Sequence, residues 1–380
     1  MNIFEVKTKV YFGEDSLSSL SCLNYENAVI FTDAFMVKSG NAESIKNLMT
    51  GCKNISVFSE TIPDPPIELI VKALEFLLEK NTDVVVALGG GSSIDAAKST
   101  ILMYGKKTGK RIPLIAVPTT SGTGSEVTKF AVITDREAGV KYPLVSDKLL
   151  PDIAVLSSEL VKSVPANITA DTGFDVITHA LEAYISTGAN DFTDAFAEKA
   201  LELSFEYLPI ACKDGNNLEA REKMHTASCL AGMAFNDASL GVNHGIAHAL
   251  GAVFHIPHGR ANAMMLYHVM KYNAELEGAV YGKTSIACTK MAKIARFIGL
   301  PCFSDKQGAQ NLVNEIKRMS KMLGIPQTLA DAGVTRSEYE KYKSHIIKSA
   351  VNDACTATNP RKIDSTAVEK ILKGIEVFAR

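Results

Sequence analysis

The 380-residue sequence lacks the features of membrane, secreted and polyanion-binding proteins. It contains no run of about 18 or more uninterrupted apolar residues, the length of a membrane-spanning helix. Its opening, "MNIFEVKTKVYFG", contains no apolar signal-peptide core. Charge of one sign is not in excess either, because 40 basic and 42 acidic side chains give a formal net charge of −2. We therefore expect a cytoplasmic protein with no nucleic-acid or membrane partner.

Paired cysteines are also missing. The seven cysteines form no CxxC pair and are odd in number, which favours reduced, mostly buried thiols over a disulfide framework. A structural zinc site of the four-cysteine kind is not expected for the same reason. The chain has no internal repeats, and 46% of its residues are hydrophobic. A chain of this length and composition is typical of a globular protein with two domains.

The pattern of apolar residues changes along the chain. Short apolar runs alternate with helical patterns in the first part, at 27–33, 55–60, 83–91, 112–120 and 152–156. Such runs predict a parallel sheet covered by helices on both faces. After 163–173 the alternation stops, and Ala, Leu, Lys and Glu follow at helical spacing. We therefore predict an N-terminal α/β domain over 1–164 and an all-α C-terminal domain over 165–380.

A glycine-rich turn follows the third apolar run. The segment "DVVVALGGGSSIDAAKS" (83–99) has the order strand, three glycines, Ser92 and helix. Glycines at such a turn let the backbone approach a ligand closely, and the helix N-terminus offers free N–H groups to a diphosphate. The segment is not the GxGxxG fingerprint, so on its own it is compatible with a dinucleotide site or with a plain tight turn.

A second turn strengthens the dinucleotide interpretation. "PTTSGTGSEVT" (118–128) follows another predicted strand and carries five hydroxyl groups within seven residues. They belong to Thr119, Thr120, Ser121, Thr123 and Ser125. Hydroxyl groups can bind ribose, phosphate and carboxamide groups, although a solvated Ser/Thr loop is the alternative. Asp33 ends the first apolar run, where a carboxylate can bind an adenosine ribose and repel a 2′-phosphate, or simply cap a helix.

The second half contains histidines at metal-ligand spacing. Asp175 and His179 are four residues apart in a helical pattern, so their side chains leave one face of the helix about one turn apart. His244 and His248 have the same relation. Pro257 would interrupt or bend the helical pattern and bring His258 back towards them. Imidazoles and one carboxylate without a nearby thiolate suit Fe²⁺, Zn²⁺ or Co²⁺.

These motifs together resemble the iron-containing (group III) alcohol dehydrogenase family over nearly the whole chain. The matching segments, in family order, are "GGGSSIDAAK", "PTTSGTGSEVT", "DVITHALEAY", "NHGIAHALG", "FHIPHGRAN" and "CTATNPR". The resemblance implies the dehydroquinate synthase-like fold of that family. It also implies NAD(H) and Fe²⁺ as cofactors, with Zn²⁺ as the alternative ion.

The resemblance also assigns roles to residues at the matching positions. The implied metal ligands are Asp175, His179, His244 and His258. His248 would be the catalytic residue, as a proton relay or a substrate-orienting group, and Phe254 and Cys355 would line the substrate pocket. The alternative for Cys355 is a small buried hydrophobic residue with no role in the pocket. The implied cofactor-binding residues are Asp33, Gly90, Gly91, Ser92, Thr119, Thr120, Thr123 and Lys141. Lys141, in "GVKYPL", would reach the nicotinamide ribose.

The implied activity is hydride transfer between NAD(H) and a short-chain primary alcohol or aldehyde. Three segments, "MNIFEVKTKVYFG", "GVKYPL" and "DFTDAFAEKA", most resemble 1-propanol dehydrogenases of propanediol-utilisation microcompartments. This favours reduction of propanal to 1-propanol with regeneration of NAD⁺. The alternatives within the family are ethanol, lactaldehyde or 1,2-propanediol, and 1,3-propanediol.

Two further alternatives lie outside that activity. A lyase of the dehydroquinate synthase type shares the fold and also uses NAD and a metal, but it would need several Lys and Arg residues for an acidic substrate. The metal motifs contain few basic residues beyond Arg260. A non-catalytic scaffold that retains only the fold is the second alternative, and the complete ligand set argues against it.

The resemblance also implies partners. We expect a homo-oligomer, a dimer or larger, that acts on a small alcohol or aldehyde. Location inside a bacterial microcompartment would require a partner such as an aldehyde dehydrogenase, because the first strand is expected to begin within the first ten residues and leaves no visible encapsulation extension.

Overall fold

The first half of the chain is built on a parallel sheet. The structure is a computed structural model that describes residues 3–137, 140–277 and 284–378. The strands within these ranges are β1 (Lys9–Tyr11), β2 (Asn27–Asp33), β3 (Asn54–Thr61), β4 (Val84–Gly89), β5 (Leu114–Pro118), β6 (Phe130–Asp135), β7 (Val140–Val145) and β8 (Ile153–Val155). The order in the six-stranded sheet is β1-β8-β5-β4-β2-β3, and every pairing is parallel.

Both faces of this sheet are buried, as the continuous apolar runs predict. On β4, Val84, Val86 and Leu88 belong to one core cluster, while Val85 and Ala87 belong to the cluster on the opposite face. Burying a valine or leucine side chain fully contributes about 1.5–3 kcal/mol. The central strands therefore fix the positions of the loops at their carboxyl ends.

Helices of the first half cover the sheet. They are α1 (Ala34–Lys38), α2 (Asn41–Leu48), α3 (Ile67–Glu79), α4 (Gly91–Thr108) and α5 (Ser158–Val161). Strands β6 and β7 form a separate antiparallel hairpin, with Phe130 opposite Val145. The apolar pattern of the sequence does not indicate this hairpin.

The second half is helical. Its helices are α6 (Ala166–Ile185), α7 (Asp191–Lys213), α8 (Leu218–Ala238), α9 (Val242–Phe254), α10 (His258–Asn273), α11 (Ile286–Phe297), α12 (Asp305–Met322), α13 (Arg336–Asn352) and α14 (Ser365–Leu372). The parallel α/β part and the helical part confirm the predicted fold class.

The chain divides into two compact units. The first contains Met1–Val164 together with Asn216–Asn236, and the second contains Pro165–Gly215 and Asp237–Arg380. The segment Asn216–Asn236, most of α8, thus packs with the α/β part, although the sequence division at 164/165 groups it with the later helices. One reason is a close approach of two glycines, since a Cβ on Gly232 would lie 3.0 Å from the Cα of Gly124.

The part of the chain that the structure describes contains neither a membrane-spanning helix nor a disulfide. No helix within 3–137, 140–277 and 284–378 is both long and apolar enough to cross a membrane. The seven cysteines all lie in these ranges, and none of them forms a disulfide.

Candidate functional site

Helix α6 contributes two of the four predicted metal ligands. Pro165 is its N-cap, and Asp175 and His179 project from it one turn apart. Their side chains are 4% and 6% exposed, and 3.9 Å separates Asp175 Oδ2 from His179 Nδ1. The spacing in the sequence thus places a carboxylate and an imidazole side by side inside the helical unit.

The other two predicted metal ligands lie on α9 and α10, and the turn between these helices brings them together. His244 lies in the first turn of α9 and is buried. His255 ends α9 with a left-handed φ of 54°, Pro257 is the N-cap of α10, and His258 is the first residue of that helix. His255 therefore shapes the turn, and the break at Pro257 returns His258 towards His244, with ring centroids 5.4 Å apart.

The four side chains form one cluster of potential ligand atoms. One donor atom each from Asp175, His179, His244 and His258 lies within 4.8 Å of the others. Asp175 Oδ1 is 3.9 Å from His244 Nε2 and 3.5 Å from His258 Nε2. Metal bonds of about 2.0–2.2 Å place neighbouring donors roughly 3–4 Å apart, so the cluster fits one divalent cation. A donor set of three imidazoles and one carboxylate suits Fe²⁺ or Zn²⁺.

Glu182 orients His244 and was not identified in the sequence. The Nδ1 atom of His244 lies 2.6 Å from Glu182 Oε2, so the imidazole donates to this carboxylate and keeps the Nε2 lone pair for the cluster. Glu182 Oε1 also accepts the backbone N–H of Asn243 at 2.7 Å. Gly241 makes this approach possible, because a Cβ there would lie 2.6 Å from Glu182 Oε1.

Burial holds His244 in the neutral form that binds metals. Desolvation lowers the pKa of His244 well below its usual value, and the neighbouring His179, His258 and His248 act in the same direction. Burial likewise raises the pKa of Glu182 to about 8, although hydrogen bonds from backbone N–H groups oppose that rise. A cation among these ligands would favour the ionised carboxylate.

Two buried amides fix the orientation of Asp175. Asn262 Nδ2 donates to Asp175 Oδ1 at 2.7 Å. The opposite end of the same amide, Asn262 Oδ1, accepts from Asn243 Nδ2 at 2.9 Å. Because both ends of the Asn262 amide have partners, its NH₂ group faces the ligand cluster and orients the carboxylate.

Replacement of Glu182 with glutamine tests this arrangement. We expect Glu182→Gln to weaken Fe²⁺ or Zn²⁺ binding about 10- to 100-fold, because His244 loses the carboxylate that sets its tautomer. The measurement is metal affinity by competition with a chelator. Glu202→Gln is the control, since Glu202 is an exposed residue that pairs with Lys199 on α7. Equal metal affinity of the two variants would contradict the role of Glu182.

The remaining predicted residues of the helical unit lie close to this cluster. The rings of His248 and His258 stack with centroids 5.2 Å apart, and His248 Nδ1 is 2.9 Å from Asp353 Oδ2. Cys355 contributes a potential ligand atom within 4.8 Å of those of His248 and Asp353. Phe254 ends α9 and contacts the ring of Tyr342. The roles of Phe254 and Cys355 in a substrate pocket stay predictions.

The first unit contains a separate candidate site at a topological switch point of its sheet. The connections from β2 to β3 and from β4 to β5 run in opposite directions, so a crevice forms outside the carboxyl ends of β2 and β4. Asp33 ends β2, and its Oδ1 accepts the backbone N–H of Met36 as the cap of α1. A Cβ on Gly89 would lie 3.8 Å from Asp33 Oδ2.

The glycine turn after β4 requires its glycines. Gly89 has a φ of 153°, and a Cβ there would lie 2.5 Å from Ser93 Oγ. Gly91 begins α4, and a Cβ there would lie 2.7 Å from Thr123 Cγ2 of the hydroxyl-rich loop. The glycine turn and that loop therefore lie in contact, and the N-terminus of an 18-residue helix opens between them. Ser92 lies in the first turn of α4. Thr119, at the start of the hydroxyl-rich loop, donates its backbone N–H to Gly89 O at 3.0 Å.

Asp95 and Lys98, within the glycine motif, attach the hydroxyl-rich loop to α4. Asp95 accepts from Ser125 Oγ at 2.7 Å and from the backbone N–H of Val132 at 3.0 Å. Lys98 Nζ donates to the backbone oxygens of Thr128 and Phe130, both at 2.8 Å. Burial lowers the pKa of Lys98 to about 8, against the effect of nearby carboxylates.

Lys141 and Thr120 also lie in the first unit. Lys141 is on the β6–β7 hairpin, and its Nζ pairs with Asp64 Oδ1 at 2.6 Å. A Cβ on Gly90 would lie 3.3 Å from Thr120 Oγ1, which places that hydroxyl against the glycine turn. The contact of Lys141 with a nicotinamide ribose stays a prediction.

Comparison with known proteins gives the same interpretation of both halves. A family model for the C-terminal part of the Fe-containing alcohol dehydrogenase family matches residues 169–375, and one for iron-containing alcohol dehydrogenase matches residues 7–158. A 1-propanol dehydrogenase of Citrobacter freundii is 41% identical over 376 residues, which cover 98% of this chain and 99% of that protein.

Solved structures with the same fold include two that match the whole chain. A 1,3-propanediol oxidoreductase has a TM-score of 0.88 at 33% identity and covers 98% of this chain and 99% of its own. A sulfoacetaldehyde reductase from Bifidobacterium kashiwanohense in complex with NAD⁺ has a TM-score of 0.85 at 28% identity. The match covers 99% of this chain and 98% of that protein's chain. The predicted cofactors, iron and NAD(H), agree with these findings.

Proposed function

Because this chain belongs to the iron-containing alcohol dehydrogenase family, we propose that it reduces propanal to 1-propanol with NADH and also catalyses the reverse oxidation. Membership makes the chain an oxidoreductase and confirms the predicted enzyme class. The proposal depends above all on one observation, the cluster of Asp175, His179, His244 and His258. The choice of propanal is supported by the 41% identity to a 1-propanol dehydrogenase.

In this proposal the second unit holds the metal and the first unit holds the dinucleotide. Bound iron supplies a Lewis acid that polarises the carbonyl group, and bound NADH supplies the hydride. Asp175, His179, His244 and His258 bind the cation, while Glu182 and Asn262 hold two of those ligands in orientation. The N-terminus of α4, with Gly90, Gly91 and Ser92, binds the diphosphate through free backbone N–H groups.

Asp33 and His248 complete the assignment. The Asp33 carboxylate binds the adenosine ribose and favours NADH over NADPH, because a 2′-phosphate would meet a negative charge. His248 relays the proton that the alcohol oxygen gains during reduction. Its side chain is 42% exposed beside the ligand cluster, so it can exchange that proton with solvent.

The activity assay tests the function. Protein is purified anaerobically, loaded with Fe²⁺ and assayed for NADH oxidation with ethanal, propanal, lactaldehyde and butanal. We expect the highest kcat/KM with propanal and a preference for NADH over NADPH. Turnover of none of the aldehydes would contradict the dehydrogenase assignment, and a preference for NADPH would contradict the role of Asp33. A higher kcat/KM with another aldehyde would change the substrate alone.

The same assay separates the alternatives outside the family's activity. A lyase of the dehydroquinate synthase type regenerates its cofactor within each turnover and would show no net oxidation of NADH. Arg260, a basic residue of the metal motifs, pairs with Asp171 through two hydrogen bonds of 3.2 and 2.9 Å. A scaffold without catalysis would show no turnover, whereas we expect turnover that chelation removes.

Assembly and location stay predictions. We propose a cytoplasmic homo-oligomer, with location in a microcompartment beside an aldehyde dehydrogenase as the wider setting. Such a partner would use the NAD⁺ that aldehyde reduction releases. The measurement is the molar mass in solution together with co-purification of aldehyde dehydrogenase from the native cell.

A further inference from the structure

The carboxylate of Asp353 forms a hydrogen-bonded pair with His248 in the helical unit. His248 Nδ1 lies 2.9 Å from Asp353 Oδ2, although 105 residues separate the two in the sequence. The His248 side chain is 42% exposed and that of Asp353 is 20% exposed. Neither the metal-ligand assignment nor the predicted substrate pocket gives Asp353 a role.

The fold holds Asp353 rigidly from its other side. Asp353 is the N-cap of the short 3-10 helix Ala354–Thr358, and its Oδ1 accepts the backbone N–H of Cys355 at 2.9 Å. Thr356 in the same turn donates its hydroxyl to Ala350 O at 2.7 Å. Because each oxygen of the carboxylate has its own partner, Asp353 can rotate away from His248 only by losing its cap.

A glycine of α9 allows this turn to approach the helix that carries His248. A Cβ on Gly245 would lie 2.3 Å from Thr356 Oγ1 and 3.3 Å from Asp353 Cβ. Close contact between α9 and the Asp353 turn therefore depends on the absence of a side chain at 245. The contact fixes the distance between Asp353 and His248 through the backbone as well as through the hydrogen bond.

The His248 ring is thus constrained at its edge and at its face. Asp353 accepts from Nδ1 at the edge, and the ring of His258 stacks on the face with an interplanar angle of 16°. A carboxylate that accepts from Nδ1 selects the tautomer with a proton on Nδ1 and a lone pair on Nε2. His244 is held by Glu182 in the same manner, but His244 is buried whereas His248 is accessible to solvent.

We propose that Asp353 is a positioning residue that acts through His248: it fixes the tautomer and the ring orientation that present Nε2 to the reacting oxygen. This inference rests on the proposed function, in which His248 relays the proton. His248, Asp353 and Cys355 could instead hold a second metal ion, since their donor atoms lie within 4.8 Å of one another. The direct bond between His248 and Asp353 and the cap at Cys355 favour the positioning role.

A double-mutant cycle separates action through His248 from a structural role. Asn at 353 keeps an oxygen for the Cys355 N–H but turns an NH₂ group towards His248 Nδ1, which opposes the required tautomer. We expect Asp353→Asn to lower kcat for propanal reduction at least about tenfold with little change in KM and in bound Fe²⁺. In a His248→Gln background the same substitution should change kcat less than about twofold.

The control and a readout independent of activity complete the test. Asp364→Asn is the control, because Asp364 caps α14 through the N–H of Ala367 in the same way, and we expect no change in kcat. NMR of ¹⁵N-histidine-labelled, Zn²⁺-loaded protein should show a lone pair on Nε2 of His248 in the wild type and the opposite tautomer in Asp353→Asn. The His248→Gln spectrum assigns the signal.

Several results would overturn the proposal. Equal loss of kcat in both backgrounds would make Asp353 structural, and an unchanged His248 tautomer would remove its physical basis. A second bound Co²⁺ with a thiolate absorption band that disappears in Asp353→Asn would make the three side chains a metal site. If the wild type reduces no aldehyde, the proposed function fails, and the NMR result still decides whether Asp353 sets the tautomer.

Discussion

His179→Ala is expected to lower kcat/KM for aldehyde reduction at least about a thousandfold and to leave the protein without tightly bound Fe²⁺. His179 is one of four clustered donors and its side chain is 6% exposed, so water cannot easily take its place. Loss of a Lewis acid removes several kcal/mol of transition-state stabilisation, and about 4 kcal/mol corresponds to about a thousandfold in rate. Metal content after dialysis and steady-state kinetics measure both effects.

The control for this variant is His345→Ala. His345 lies on α13 and is exposed, so its loss should change neither metal content nor kcat/KM. The thermal unfolding midpoint of the metal-free proteins shows whether a cavity at 179 has disturbed the fold. Full activity and one bound Fe²⁺ in a folded His179→Ala protein would exclude His179 from the metal site.

Gly91→Ala is expected to weaken NADH binding at least about tenfold in a protein that still folds. The added methyl group would lie 2.7 Å from Thr123 Cγ2 and 2.9 Å from Thr123 Oγ1. It would therefore displace the hydroxyl-rich loop at the proposed diphosphate site. The crowded atoms belong to the Thr123 side chain, so the strain falls on the loop rather than on the backbone of α4.

NADH titration by fluorescence, with the unfolding midpoint recorded in parallel, measures this effect. Gly105→Ala is the matched control, because Gly105 lies in the same helix, outside the glycine turn. We expect Gly105→Ala to bind NADH as the wild type does and Fe²⁺ binding to be unchanged in both variants. Wild-type NADH affinity of Gly91→Ala would show that the dinucleotide binds elsewhere.

The sequence alone predicts the strands and the ligand pairs that show as a pattern in neighbouring residues. The five predicted strands correspond to β2, β3, β4, β5 and β8, because buried parallel strands are continuous apolar runs. The four-residue spacing of Asp175 and His179 and the break at Pro257 were also visible without the structure. All four candidate ligands meet in one cluster.

The residues that support those ligands were not predictable in the same way. Glu182 lies in a helical pattern, where a carboxylate usually belongs to a solvated face, and its partner His244 is 62 residues away. Asp353 is 105 residues from His248. A pairing over such distances depends on how helices pack, and periodicity reports only which side of a helix is buried. One available signal was that Glu182 follows His179 by three residues, on the same face of α6.

The same limitation applies to α8 and to the β6–β7 hairpin. Helical spacing in residues 216–236 is alike whichever unit it packs against, and the contacts that decide are distant in sequence, such as Ser121 with His225 at 2.9 Å. Strands β6 and β7 form a separate two-stranded sheet. Burial alternates along β6 and β7 contains Lys141 and Pro143, so neither strand is a fully buried apolar run like β4.

Anomalous diffraction at the iron absorption edge, from crystals of anaerobically loaded enzyme, locates the metal in the chain. We expect one iron peak per chain, bounded by the side chains of Asp175, His179, His244 and His258, with His248 outside the set of ligands. An iron peak at any other place in the chain, or a peak that leaves out two or more of these four side chains, would contradict it.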